Sequence, residues 1–451
     1  MRRKLTKGLG RVKLAAVIFG AVPLLGAQDP FEAPLAGGGT KAPPAPAASI
    51  PRSAVDADAL RKTIDELVAC GTRHSLSSWD DPSRGIGCGR DRIVARYREI
   101  AKSSGGRLDV SVDRYEATSS RTHDQPARLE NVLATLSGTD PLLAKTVFVA
   151  AGHFDSMPSS VMDPASDAPG ADDDASGVAA VIEAARLLTG GRHRATIVFA
   201  ALSGEEQGLL GGTELLAELQ RRGYAMGGFL DNDIVGADPA PGGPHRVRVF
   251  SGGGPDGVDS PSRDLARSVE EIAGRDAVRL VFRLDRLGRG GDHRPFVEAG
   301  LPAVRFTEPL ENYDHEHQTP RVKNGREYGD LTRHLDDEFL ASVARINAEV
   351  LERLADAPAA PRDVVLSGGV TPEAKVAWEA APDAARAGFE ILWRETTDSR
   401  WSVWGFVTSP GETVLPGVST DNHFFAVRAV GGNGARSIAV AAQPKPPPPK
   451  R

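Results

Sequence analysis

The stretch Gly170-Ala171-Asp172-Asp173-Asp174-Ala175-Ser176-Gly177 sets three consecutive acids directly ahead of a helix-like run. Adjacent carboxylates repel one another. Only the outer two have an easy route to water, so the middle one asks for a cation against it. His153-Phe154-Asp155 lies upstream and Gly204-Glu205-Glu206 downstream. Together they offer the imidazole nitrogens and carboxylate oxygens that a divalent metal takes as ligands. A helix N-terminus tolerates one capping anion, most simply Asp174, but does not require three.

These residues need a frame to bring them together. Thr146 to Ala151 and Ala195 to Leu202 are apolar runs suited to strands buried on both faces. Asn131 to Leu136, Phe229 to Val235 and Pro302 to Phe306 read as further strands. Helical spacing runs from Asp56 through Leu60, Ile64, Leu67 and Val68, then through Ile93, Val94, Tyr97, Ile100 and Ala101. It recurs from Ser176 to Leu188, and in a closing helix through Phe339, Leu340, Val343, Ile346, Val350 and Leu354. The alternation predicts an α/β domain over residues 54–357, with a mostly parallel central sheet flanked by helices. His153 and the Glu205-Glu206 pair each follow a strand, and Asp233 lies near the end of another. Carboxyl ends of parallel strands are where such sheets gather ligands, so these residues converge in one crevice.

Four separated motifs now carry a resemblance. His153-Phe154-Asp155, Pro169 to Gly177, Gly204-Glu205-Glu206-Gln207-Gly208 and Asp292-His293-Arg294-Pro295-Phe296 resemble the co-catalytic zinc exopeptidases of metallopeptidase family twenty-eight, in the right order over about residues 60–355. The resemblance implies two zinc ions: His153 and Asp233 on one, Glu206 and a late histidine on the other, and Asp173 bridging both. Paired ions about 3.5–4 Å apart polarise a scissile carbonyl and lower the pKa of a shared water. Glu205 is then the general base that takes the water's proton and passes it to the leaving amine, and Asp155 orients His153. Family spacing favours Asp233 over Asp231. The last ligand lies in Tyr313-Asp314-His315-Glu316-His317, where the chain departs from the usual Tyr-His pattern; His317 is favoured, with His315 the alternative. Asp292 and His293 stand either on the substrate side or as an ordinary loop pair. Gly71-Thr72-Arg73-His74 also recurs in the family, without an assigned role.

The function implied is hydrolysis of terminal peptide bonds, with an aminopeptidase as the leading reading and peptides or proteins as substrates. The alternatives are glutaminyl cyclase-like chemistry, a carboxypeptidase, or a non-catalytic binding domain on the same fold. A net charge of −6 across 451 residues, with no basic block in the body, speaks against a nucleic-acid partner.

The start of the chain reads as an address. Arg2, Arg3, Lys4, Lys7, Arg11 and Lys13 precede an apolar run from Leu14 to Leu25, closed by Gly26-Ala27. This describes a signal peptide over residues 1–27 and a secreted or periplasmic protein. The run is too short, and broken by Pro23, to leave a membrane span in the mature chain. Residues 28–53 read as a disordered leader. Cys70 and Cys88, the only cysteines, form an even pair in an exported chain, which predicts one disulfide contributing about 3 kcal/mol.

Beyond Ala357-Pro358-Ala359-Ala360-Pro361 the composition changes to short strands punctuated by turns. Residues 362–443 are expected to form an all-β sandwich, followed by a Pro/Lys-rich tail over 444–451. Val376-Ala377-Trp378, Phe389 to Arg394 and Phe425 to Ala429 resemble a fibronectin type III module. The sandwich is expected to be a spacer or a module that binds a surface or a protein. Its Pro-rich junction predicts few contacts across the boundary, so that hydrolysis should survive its removal.

Overall fold

The computed structural model describes residues 41–238, 245–253, 259–368 and 371–444. The expected signal peptide, the first part of the leader and the tail from Lys445 lie outside them. Two helices open the described fold, α1 (Ala57–Val68) and α2 (Ile86–Ser103). Asp56 caps α1 by accepting the Ala59 N–H, and α1 buries Leu60, Ile64 and Leu67, the helical stripe its spacing predicts. Cys70 and Cys88 are disulfide-bonded, joining the end of α1 to the first turn of α2.

The strands and helices that follow are β1 (Leu108–Ala117), β2 (Ala127–Leu136), β3 (Thr146–His153), α3 (Ala175–Leu188), β4 (Thr196–Leu202), α4 (Leu210–Arg221) and β5 (Ala225–Asn232). Then come β6 (Val247–Phe250), α5 (Pro261–Ala273), β7 (Val278–Val281), α6 (Arg294–Glu298), β8 (Ala303–Thr307) and α7 (Asp337–Ala355). The eight strands form one mixed sheet in the order β1-β2-β4-β3-β5-β8-β6-β7. Its centre, β4-β3-β5-β8, is parallel. The flanks reverse direction, with β2 antiparallel to β4 and β6 antiparallel to β8.

The unbroken apolar run of β3 divides by the strand's period of two. Phe148 and Ala150 face the helices α1, α3 and α7; Val147, Val149 and Ala151 face Leu215, Leu219 and Phe296 of α4 and α6. Helices on both faces explain why the run carries no polar alternation. Among the described residues no helix is long and apolar enough to cross a membrane.

The C-terminal residues form two four-stranded sheets. One contains Arg362–Ser367, Glu373–Glu379 and Gly411–Pro416; the other contains Arg386–Glu395, Ser402–Val407 and His423–Gly431. They pack on each other through Trp378 and Phe389, whose rings meet edge-on at 5.6 Å.

Two expectations need correction. The boundary between the α/β part and the C-terminal sheets is not sparse; both fall in one compact unit. Asp259, just ahead of α5, pairs with Arg394 at 2.6 Å, and Asp264 accepts the Trp401 indole N–H at 2.9 Å. Glu270 holds Arg400 at 2.6 Å, and Arg194 reaches Asp383 at 2.7 Å. The α5 acids look like a solvated helix face in sequence because their partners lie about 130 residues on. Residues 41–53, expected within a disordered leader, also have fixed contacts. Arg436 and Arg353 donate to the carbonyls of Pro43 and Ala47, Ile50 is buried, and Arg52–Ala54 form a helical turn.

Candidate metal centre

Parallel pairing aligns the carboxyl ends of β3, β4 and β5, with His153 opposite Leu202 and Ala151 opposite Asp231. His153 therefore closes β3 beside the turn carrying Glu205 and Glu206, while Asp233 follows β5 by one residue. The loop after β3 returns to the same edge at Asp173, just ahead of α3. Close helix–strand packing allows this. A Cβ on Gly152 of β3 would come 2.7 Å from the Gly177 backbone, and one on Gly177 of α3 would come 2.2 Å from the Asn232 carbonyl.

Two three-donor clusters result, His153-Asp173-Asp233 and Asp173-Glu206-His317, each with its ligand atoms within 4.8 Å of one another. Asp173 belongs to both. Its Oδ1 lies 3.1 Å from His153 Nε2 and its Oδ2 2.9 Å from His317 Nε2. The remaining donors close the clusters, Asp233 Oδ1 at 3.7 Å from His153 Nε2 and Glu206 Oε1 at 3.0 Å from His317 Nε2. His153, Asp173, Glu206 and Asp233 are buried and His317 is partly exposed. His317 sits at φ 52°, a left-handed conformation that non-glycine residues seldom adopt.

The outer acids do not face water as expected. Asp174 caps α3 through the Gly177 N–H at 2.9 Å and takes the His153 N–H at 3.0 Å. Asp172 takes the Gly236 N–H at 2.6 Å. Both tie the loops of the site to one another and leave Asp173 alone to point inward. Asp330, unremarked in the sequence, accepts the N–H groups of Asp172 and Asp173, each at 2.8 Å.

Asp155 lies behind the centre. Its carbonyl stands 3.1 Å from His153 Nδ1, and its carboxylate oxygen 3.5 Å from the same nitrogen. A donor role for Nδ1 leaves the Nε2 lone pair facing Asp173 and Asp233. The carboxylate also accepts the Ser75 hydroxyl at 2.8 Å and the N–H groups of Glu205 and Glu206 at 3.3 and 3.1 Å. One side chain thus fixes both the imidazole and the Glu-Glu turn. Glu205 carboxylate oxygens take no hydrogen bond from the described residues.

Several sequence candidates fall elsewhere. Asp231 accepts the His293 backbone N–H and meets its ring, both at 3.1 Å. Asp292 accepts the Gly212 N–H at 3.0 Å in the first turn of α4. His315, the alternative ligand, stacks on His334 with ring centroids 3.7 Å apart.

Two arginines contribute what the sequence reading left out. Arg305, a lone cation in the apolar strand β8, places Nη1 2.9 Å from Asp233. Arg73 is fully buried and donates to the carbonyls of Phe154, Leu67, Pro169 and Gly170, at 2.7, 3.2, 2.6 and 2.8 Å. It gives the Gly71-Thr72-Arg73-His74 segment a role, as a clamp on the loops bearing Asp155 and Asp173. A buried-strand arginine is itself a signal, since an unpaired charge there is untenable.

The charge balance of the cluster is that of a cation site. Burial opposes charging of His153, but Asp155, Asp173 and Asp233 outweigh it and hold the imidazole well above the ordinary histidine range. His317 is raised likewise, burial being outweighed by Glu206 and Asp173. Burial, with Glu206 and Asp233 nearby, lifts the Glu205 carboxyl well above the usual carboxylate range. Glu206 Oε1 is buried, with the His317 ring nitrogen 3.0 Å away. Five residues that offer imidazole nitrogens and carboxylate oxygens in two adjoining clusters fit divalent metal of the zinc type. Asp173, Glu206, Asp233 and His317 line a cleft of about 870 Å³.

Comparison with known proteins places this geometry. The profile of Peptidase family M28 matches residues 131–351. A probable zinc metalloprotease of Leptosphaeria maculans is 40% identical over 409 residues, covering 86% of this chain and 94% of that one. One of Pyrenophora tritici-repentis is 40% identical over 412 residues, covering 86% and 84%. The crystal structure of the Legionella pneumophila LapA aminopeptidase superposes with a TM-score of 0.50 at 20% identity, over 68% of this chain and 72% of that one. A leucine aminopeptidase precursor from Bacteroides thetaiotaomicron gives 0.50 at 15% identity, over 68% and 99%. These two similarities speak for the α/β fold alone; the sequence matches establish that the chain belongs to peptidase family M28.

Proposed function

We propose that the protein is an exported zinc exopeptidase, an aminopeptidase that carries two zinc ions and acts on peptides or proteins. The observation that carries this reading is the sharing of Asp173 between two donor clusters, one oxygen toward each. His153, Asp173 and Asp233 would hold one ion; Asp173, Glu206 and His317 the other. When bound, zinc supplies Lewis acidity for the scissile carbonyl and acidifies the attacking water.

The remaining chemistry belongs to the chain. Glu205 lines the cleft beside the donors, and its carboxylate is free to accept the water's proton as oxygen attacks the carbonyl carbon. The same carboxyl then donates that proton to the departing amine as the C–N bond breaks. Asp155 holds the Glu205 and Glu206 N–H groups, so the base and its neighbouring donor keep a fixed separation. A carboxypeptidase is the second reading, supported by the arginines that line the cleft.

The C-terminal sheets are proposed to be a fibronectin type III-like module, held against the peptidase part rather than tethered loosely. Screening aminoacyl reporters with and without chelator tests the activity. Cleavage that is lost with chelator and restored by zinc is expected; cleavage indifferent to chelator would overturn the reading.

A further inference from the structure

The cleft that the donor residues line carries charge of both signs. Asp173, Glu205, Glu206 and Asp233 line it, and under the reading above two divalent ions offset their four charges. The rest of the lining includes an arginine wall, the segment after β7 and the first residue of α6, which bring Arg283, Arg286, Arg289 and Arg294 to the cleft with Asp285 among them.

Two of these arginines have structural work. Arg286 meets Asp285 at 3.1 Å and Glu311 at 2.8 Å, and Arg289 meets Glu311 at 2.5 Å and Glu316 at 3.3 Å. Those ion pairs pin the segment. Arg283 is different: it is exposed, and its guanidinium has no hydrogen-bond or ion-pair partner among the described residues. Arg294 gives one nitrogen to Glu298 at 2.8 Å, while its buried Nε has no acceptor. Bracing of the segment does not account for Arg283 or for that nitrogen. A guanidinium presents a planar fork suited to a carboxylate, and inside a half-enclosed cleft its field is less screened than on open surface.

Resting on the exopeptidase reading, we propose that this arginine wall selects substrates bearing a carboxylate close to the scissile bond, with Arg283 as the residue that meets it. The carboxylate belongs either to an acidic side chain or to a free C-terminus. Arg286 and Arg289 keep the wall in place, and Arg283 supplies the open donor fork. Because the interaction is ionic and partly exposed, the preference weakens as salt rises.

The test uses the zinc-loaded full chain and two substrate pairs. Leu- and Glu-aminomethylcoumarin differ by a side-chain carboxylate, whereas Leu-Leu and Leu-Leu-amide differ by a terminal one. The carboxylate-bearing member of one pair should be preferred in kcat/KM by about tenfold. Arg283→Glu should erase that ratio, Arg283→Gln should reduce it, and the responding pair identifies the source of the carboxylate. Calorimetric titration with glutarate gives a readout without turnover, and its affinity should fall by about the same factor in Arg283→Glu. Ratios near one that Arg283→Glu does not move, together with unchanged glutarate affinity, would overturn the proposal while leaving the peptidase reading intact. Failure to cleave any of the four substrates would instead count against the exopeptidase reading, with the glutarate titration still deciding the role of the wall.

Discussion

Arg305 offers the sharpest structural prediction. It is fully buried in β8, with Nη1 2.9 Å from Asp233, 3.5 Å from Asp285 and 2.5 Å from the Gly290 carbonyl. Burial alone would favour the neutral guanidine, but Asp233, Asp285 and Asp231 outweigh it and raise the pKa. Arg305→Met keeps much of the volume and removes the charge. Breaking a buried ion pair from one side costs about 3–5 kcal/mol, because the surviving partner is stranded. Asp285 retains Arg286 at 3.1 Å and His293 at 3.7 Å, whereas Asp233 keeps only His153 at 3.7 Å, so the loss falls mainly on Asp233 and should be about 3 kcal/mol. Zinc held by Asp233 would replace part of the missing positive charge. Denaturant unfolding should therefore show the full loss in metal-free protein and a clearly smaller one after zinc loading. Equal losses in both forms would refute a metal at Asp233, and no loss in either would refute the ion-pair argument.

Three further outcomes are expected. Glu205→Gln should cut kcat by at least about 10²–10⁴ while zinc content stays near normal, whereas Glu206→Gln should lower zinc content; metal analysis beside kinetics would expose swapped roles. A chain ending at Ala357 should lose about 1–3 kcal/mol, the net contribution of the bonds from Asp259 to Arg394 and from Asp264 to Trp401, since both acids keep Arg267 and gain water; a lower melting temperature reads this, and an unchanged melt would show that the α5 face needs no cover. His153 and His317 hold their protons above the ordinary value of 6.5 in metal-free protein, so the stability they confer is complete below that pH and drains away as pH rises through their raised values. Zinc must displace these protons, so its apparent affinity should climb with pH over the same window; an affinity flat from pH 6 to pH 8 would contradict the assignment.

Much of the α/β frame was legible because its strands are buried on both faces. Runs such as Val147 to Ala151 admit few other structures, and the motif residues follow them directly. Strand β1 escaped notice because it is a half-exposed edge whose apolar residues are separated by polar ones. Helix α4 lacked a clear start, opening after Leu209 at φ 59° with no side-chain cap. The donor residues could be named from types and spacing, but the work of their neighbours could not. Asp330, Arg73 and Arg305 act on Asp172, Pro169 and Asp233, which lie 158, 96 and 72 positions away in sequence, beyond the reach of any local pattern. The same holds for the acids at α5, whose partners Arg394, Arg400 and Trp401 lie in the C-terminal part of the chain.

Asp173 is the point on which the account turns, since one carboxylate is assigned to two ions. Elemental analysis of the purified full chain after mild dialysis, run beside Asp173→Ala, tests it most directly. The account predicts close to two zinc equivalents in the parent chain and loss from both positions in the variant. A single equivalent with full activity, or a variant that keeps one tightly held ion, would contradict it.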